Sequence, residues 1–353
     1  MDTDKLQQIQ DHARAIAALL YPETAVEQLT TLEGIEEAVR GHILESVSPE
    51  IGGFFIAGAS GTRSGRSRQL KSILGDISIT EKQAEALEVK AQTQLSPYLE
   101  KCCLLISANV SYERSAQDIP VLTGMRVSRG TQQRLVQRQT FELPVVEGCV
   151  EEISMDGGKV RIRTPLGEIC RWQDYKAVNL HGHWLDAFFH ANEALVDWVN
   201  QHLLAIPVIC LGDSHDGIWN LFSSIASDPQ RQEILDWFHL KENLYKVNAT
   251  DQDIATVEAF LWQGNVDDAI EQLKQWQDEP AKTFSWYLRK HRSRIVNYAY
   301  FQAEGISIGS GTVESTVKQI GARIKLSGAQ WKSENVPQVL AHRCAYLNGQ
   351  FSI

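Results

Sequence analysis

The sequence predicts an α/β protein: a mixed sheet with helices on both faces and an all-helical insertion, preceded by an α-helical N-terminal region. Three observations predict it. Residues 1–50 and 80–138 place apolar side chains at helical spacing, whereas EEISMDGGKVRIRT and DYKAVNLHG alternate with a period of two. The apolar runs IPVICLGD and EILDWFHL follow, separated by short helical stretches. Beyond an acidic, tryptophan-containing helical stretch over 240–305, GSGTVESTVKQIGARIK resumes a clear helical period.

At 353 residues, with 43% hydrophobic and 22% charged composition, the chain has room for two or three packed units and is not expected to be disordered. No run of about 18 apolar residues occurs. MDTDKLQQIQ carries acids and glutamines where a signal peptide would need bases and an apolar core, so a soluble, cytoplasmic protein with no membrane partner is expected. Six cysteines form no CxxC pair, which argues against a zinc finger or a disulfide scaffold. The net charge of −10 would by itself discourage a nucleic-acid partner, but the charges are segregated. Residues 1–50 and 250–280 are acidic, while RSGRSRQLK, RVSRGTQQRLVQR, KTFSWYLRKHRSR and KQIGARIKLSGAQWK each lack any acid.

Taken in order, residues 1–60 read as helical, with Ile16, Leu19 and Leu20 and then Ile35, Val39 and Ile43 at helical intervals. IAGASGTRSGRSRQ, 56–69, reads as a linker and not as a phosphate loop, because no GK[ST] closes it. Within a second helical region, 61–142, a helix ends near Leu122, Gly124 makes a turn and Ser128 caps a following helix. That is helix-turn-helix spacing, and Arg126, Arg129, Arg134 and Arg138 are its candidate DNA contacts. From 143 onward EEISMDGGKVRIRT reads as a hairpin turning at Gly157-Gly158, so that Asp156 ends a first strand. A third strand, a helix with Leu195, Trp198, Val199 and Leu203 on one stripe, a strand through Leu211, a short helix from Asp216 and a final strand follow. Three strands, helix, strand, helix, strand is the order of a ribonuclease H-like core, here formed by 143–240 and 306–353 around a helical insertion, 241–305.

The stretch LGDSHDG allows two chemistries: a serine esterase working through Ser214, or a metal enzyme working through Asp213. In the ribonuclease H-like order the first and fourth strands are neighbours. Asp156 and Asp213 then emerge side by side, and the last helix brings up Glu314. Three carboxylates that close repel one another unless a cation sits among them, and oxygen-only ligands favour Mg²⁺ or Mn²⁺. Two such ions activate a water or a 3′-hydroxyl on one side of a phosphate and stabilise the leaving oxygen on the other. Asp216 is the alternative to Asp213, which stands directly at the strand end. Lys318 and Lys325 share a stripe with Glu314, and Arg323 lies in the same basic helix.

The segments SMDGGKV, LGDSHDGIW, LDWFHLKENL and GSGTVESTVKQIGARIKLSGAQWK resemble those of bacterial insertion-sequence DDE transposases of the Kra-type group, related to the Mutator-like elements. The resemblance runs from about residue 100 to the C-terminus. It implies Asp156, Asp213 and Glu314 as metal ligands, and it places His239, with Asp236 in a D-x-x-H signature, beside the site. It also implies DNA partners (terminal inverted repeats and target DNA) and at least a homodimer in the working synaptic complex. Longer family members commonly carry a cysteine pair upstream of the helix-turn-helix, which this sequence lacks. The rival readings are a domesticated or inactive transposase that only binds DNA, and a GDS-serine hydrolase using Asp236 and His239 as its D-x-x-H partners.

Overall fold

The computed structural model describes residues 2–276 and 278–351. They divide into two compact units, 1–135 and 136–353. No helix among the described residues is long and apolar enough to cross a membrane.

The first unit begins with helices α1 (Thr3–Leu20), α2 (Leu32–His42) and α3 (Ser48–Ser60). A hairpin of β1 (Ser67–Ser72) and β2 (Gly75–Thr80) follows, then α4 (Glu81–Ala86), α5 (Pro97–Ser107), α6 (Tyr112–Thr123) and α7 (Arg129–Arg138). The expected linker at 56–69 is mostly absent. Residues 56–60 complete α3 and 67–69 open β1, because Leu70 of β1 and Ile77 and Ile79 of β2 have a core to enter. Gly124 closes α6 in the left-handed region at φ 75°, and the Ser128 hydroxyl caps α7 through the Thr131 N–H at 3.2 Å. A buried hydrogen bond from Ser115 to Gln132 joins the two helices. The turn and cap anticipated between α6 and α7 are therefore present, with Arg126, Arg129, Arg134 and Arg138 all exposed.

The second unit is built on a five-stranded mixed sheet of β3 (Cys149–Ile162), β4 (Arg171–Leu180), β5 (Trp184–Phe188), β6 (Leu203–Gly212) and β7 (Arg231–Leu235). The strands lie in the order β5-β4-β3-β6-β7. The first three are antiparallel, β6 runs parallel to β3, and β7 runs parallel to β6. Helices α8 (Asn192–Asn200), α9 (Asp216–Phe222) and α10 (Trp237–Leu244) cover one face together with α11 (Asp251–Trp262), α12 (Val266–Leu273), α13 (Glu279–Lys290) and α14 (Tyr298–Ala303). Helices α15 (Gly311–Ile324) and α16 (Val336–Leu347) cover the other. The helical stretch after β7 is tied to α10 by Trp237, whose ring centroid lies 4.9 Å from those of both Trp262 and Tyr298.

Two expectations are corrected. Gly157 and Gly158 do not turn a hairpin: they lie inside one 14-residue strand, β3, opposite Lys176 and Tyr175 of β4. Neither has the positive φ that a two-residue hairpin turn requires. Glycine is needed at 158 for a different reason, since a Cβ there would lie 2.1 Å from Cζ of Tyr175, whose ring crosses that position. The chain instead turns after Ile162. Leu203, read as the end of a helical stripe, opens β6.

Candidate carboxylate site

The parallel pairing of β3 with β6 ends at Met155 and Gly212. Asp156 and Asp213 are the next residues of the two neighbouring strands. Asp156 is thus in mid-strand rather than at a strand end, and the two acids meet because β6 stops where β3 continues. Asp213 leads into the turn before α9, its Oδ1 accepting the His215 N–H at 2.8 Å. A Cβ on Gly212 would sit 3.0 Å from Ile218 and 3.4 Å from Trp219, so glycine lets α9 fold back closely onto the strand end.

Glu314 comes from the first turn of α15, and polar contacts with the sheet seat that helix. Ser154 Oγ lies 3.2 Å from Thr312 Oγ1, and Asn179 donates to Thr316 Oγ1 at 3.1 Å, so the residues two before and two after Glu314 are both held. The start of α15 is also fixed by Asp236. This carboxylate is fully buried (0% exposed). Its Oδ1 accepts the His239 N–H at 2.7 Å as the cap of α10, and its Oδ2 accepts both the backbone N–H and, at 2.7 Å, the hydroxyl of Ser310. Burial would raise the Asp236 carboxyl, but the donors from His239 and Ser310 outweigh it and hold it below the usual carboxylate value.

His239 stands between two acids, with Nδ1 3.4 Å from Asp236 Oδ1 and 3.6 Å from Glu314 Oε1. Its pKa is raised to about 9, chiefly by Asp236 against the opposing effect of burial, with Glu314 and Asp213 adding to the rise. Glu314 Oε2 lies 3.6 Å from Lys318 Nζ. Asp156 is pushed above the ordinary carboxylate value, first by burial and then by the charges of Asp213 and Glu314; the Gly157 N–H and His239 oppose the shift. The three expected acids therefore share one electrostatic site.

Among the described residues, the three ligand-bearing groups whose atoms converge within 4.8 Å are Asp236, His239 and Glu314, not Asp156, Asp213 and Glu314. Convergence does not make those three a metal cage. Asp236 is fully buried, and three of the four lone-pair sites of its carboxylate already accept N–H and O–H donors. Asp236 is a buried anchor that joins the start of α10 to the start of α15. Glu314 is turned toward His239 and Lys318, which explains why it does not close on Asp156 and Asp213.

The alternative second acid, Asp216, is exposed and forms a 2.6 Å ion pair with Lys290, which lowers its pKa. Ser214 lies beside the Tyr287 hydroxyl of α13, and Nδ1 of His239 faces Asp236 and Glu314. Of the basic candidates on α15, Lys318 and Lys325 are exposed, but Arg323 is buried (1% exposed) with its guanidinium 5.0 Å from the Trp331 ring centroid. Arg323 is a packing residue and not a surface contact. Arg129 is exposed and paired to Glu113 at 3.1 Å.

Ser310, Tyr287 and His291 also face this region, although the sequence had assigned none of them to the site. His291 is buried (1% exposed), and its pKa is lowered to about 4, first by burial and then by Arg294 and Lys290, which leaves a neutral imidazole near Asp213. The only available signal for Ser310 was the GSG preceding TVES. No protein-family model matches this chain, and no curated protein matches it.

Proposed function

We propose that the protein is a DDE transposase with a ribonuclease H-like core, which cleaves and rejoins the DNA of an insertion sequence. The observation that carries the reading is that Asp156, in mid-β3, and Asp213, just past the end of the parallel strand β6, lie at the same level, close enough to Glu314 for both charges to raise the Asp156 carboxyl. Like charges gathered in this way fit a cation, and the all-oxygen donor set suits Mg²⁺ or Mn²⁺. Asp156, Asp213 and Glu314 would hold two such ions. When bound, the ions supply the activation of a water or 3′-hydroxyl and the stabilisation of the leaving oxygen. The strand order β5-β4-β3-β6-β7, antiparallel through β3 and parallel from β3 to β6 and β7, also supports the reading.

The chain's own residues have distinct tasks. Asp236 holds His239 and the N-terminus of α15, and His239 in turn stands against Glu314 as its counter-charge. Lys318 and Lys325 neutralise phosphate, as do Arg126, Arg129, Arg134 and Arg138 on the N-terminal helical region, which binds the element's ends. Joining two ends requires at least a homodimer in the synaptic complex. The test is cleavage of a plasmid carrying the DNA that flanks the coding region, in Mg²⁺ or Mn²⁺, by the wild-type chain and by Glu314→Gln. Cutting and joining by wild type, with loss of both and retained DNA binding in Glu314→Gln, supports the assignment. Equal cleavage by the two proteins refutes it.

A further inference from the structure

A groove of about 860 Å³ opens beside the carboxylates on the second unit, lined in part by Trp172, Gln173, Lys176, His190, Asn192 and His215. Its position follows from the sheet. Past Met155 and Gly212, β6 ends, but β3 and β4 remain paired from Gly157 and Lys176 to Ile162 and Arg171, so a two-stranded ribbon projects beyond the acids. The groove runs along this ribbon, from Trp172 near its tip to Lys176 at its base, and on to the starts of α8 and α9. It is continuous with the acid site at both strands: Lys176 is in register with Gly157, the residue after Asp156, and His215 is two residues past Asp213. The Lys176 Nζ lies 3.5 Å from where a Gly157 Cβ would be and 3.6 Å from the corresponding position at Gly217, bridging the two edges.

The groove's chemistry is more specific than its shape. Trp172 is 53% exposed and lines the opening. The His215 Nδ1 accepts the Gly217 N–H at 3.1 Å, so a neutral His215 carries its proton on Nε2 and presents a donor. Gln173 and Asn192 each bring both a donor and an acceptor, and His190 Nε2 lies 3.5 Å from Gln173 Oε1. Among the lining residues only Lys176 is a full cation, and Asp174 and Glu193 are acids. A run of phosphates would meet repulsion here. An unpaired base would find a ring to stack on and neutral groups to pair with along its edges.

We propose that this groove holds an unpaired nucleobase of the DNA strand that lies across Asp156 and Asp213, stacked on Trp172 with its edge facing His215, Gln173 and Asn192. The proposal rests on the transposase reading and adds to it a site for a base of the strand that enters the carboxylate site. The test uses the full chain, at low salt and without divalent ions, titrated into fluorescein-labelled duplexes that are either blunt or carry a short single-stranded tail. Trp172→Ala weakens binding of the tailed duplex by about tenfold or more, the scale of one base stacked on an aromatic ring, and leaves the blunt duplex unaffected. Trp172→Phe retains most of the tailed binding, and 5-iodouracil in the tail crosslinks to residue 172 on irradiation. If Trp172→Ala binds both duplexes like wild type, the groove proposal falls while the transposase reading stands. If the wild-type chain binds neither duplex, both fall together.

Discussion

Replacing Asp236 by alanine removes the acceptor for three buried donors at once: the His239 N–H, the Ser310 N–H and the Ser310 hydroxyl. Each buried donor left without a partner costs about 1–3 kcal/mol, and loss of a helix cap costs about 1 kcal/mol. Water admitted into the space recovers part of this, so the expected destabilisation is about 3–5 kcal/mol, the range found on breaking a buried charged pair. Thermal unfolding at neutral pH should show a fall of roughly 6–20 °C, at about 2–4 °C per kcal/mol for a domain of this size. Ser310→Ala removes only the hydroxyl donor and should cost about 1 kcal/mol. The double variant should lose less than the two single losses combined, because Asp236 and Ser310 act through one contact. An Asp236→Ala protein within about 1 kcal/mol of wild type, or strictly additive losses, would show that the anchor is not what joins α10 to α15. The pair also sets a pH dependence. Because the folded Asp236 carboxyl is held below its ordinary value of about 3.9, its contribution is present above about pH 4 and disappears as pH falls through the folded value. His239 acts in the opposite sense. With its pKa raised to about 9, its contribution is complete below about pH 6.5 and is lost as pH rises through 9. His239→Gln should flatten the alkaline limb of a stability profile recorded in chelator.

Gly158→Ala puts a methyl group into the Tyr175 ring and should destabilise the second unit by about 1–3 kcal/mol, measured by urea unfolding. Pairing it with Tyr175→Leu should recover much of the loss, and a silent Gly158→Ala would count against the continuous β3. Asp213→Asn should abolish metal-dependent DNA cleavage, whereas Asp216→Asn should leave it nearly intact, since Asp216 is engaged with Lys290; the opposite pattern in a plasmid-nicking assay would exchange their roles. Lys318→Ala together with Lys325→Ala should weaken DNA binding and reduce the slope of log affinity against log salt by about 2, one unit for each phosphate contact. Arg323→Ala should instead lower stability with no change in that slope, and a reduced slope would restore Arg323 to the DNA surface.

The site was legible wherever chemistry follows residue identity and local period. Asp213 and Glu314 stand at the end or start of an element whose period can be read, and the parallel pairing of β3 with β6 brings Asp156, in mid-strand, beside Asp213. Misreading Gly157-Gly158 as a turn did not disturb that result. A glycine pair has the same appearance whether it serves a positive φ or makes room for a neighbouring ring, and only the Tyr175 side chain across the ladder distinguishes the two. Arg323 was misassigned for a related reason. A basic helix shows its charges in sequence but not which of them the next loop covers, and Trp331 decides that.

By itself, then, the sequence determined the succession from α8 to β7 and the basic and acidic segments, because these depend on local period and on side-chain chemistry, but it missed β1, β2 and β5 and divided β3 in two. The tertiary structure alone decided that Asp236 is a buried anchor for the starts of α10 and α15, that Glu314 turns to His239 and Lys318, and that Ser214 lies beside Tyr287. Each of these depends on groups distant in the chain meeting within a few ångströms. Hydrogen-bond capacity and charge are shared among whichever groups the packing brings together, and no local pattern encodes that sharing.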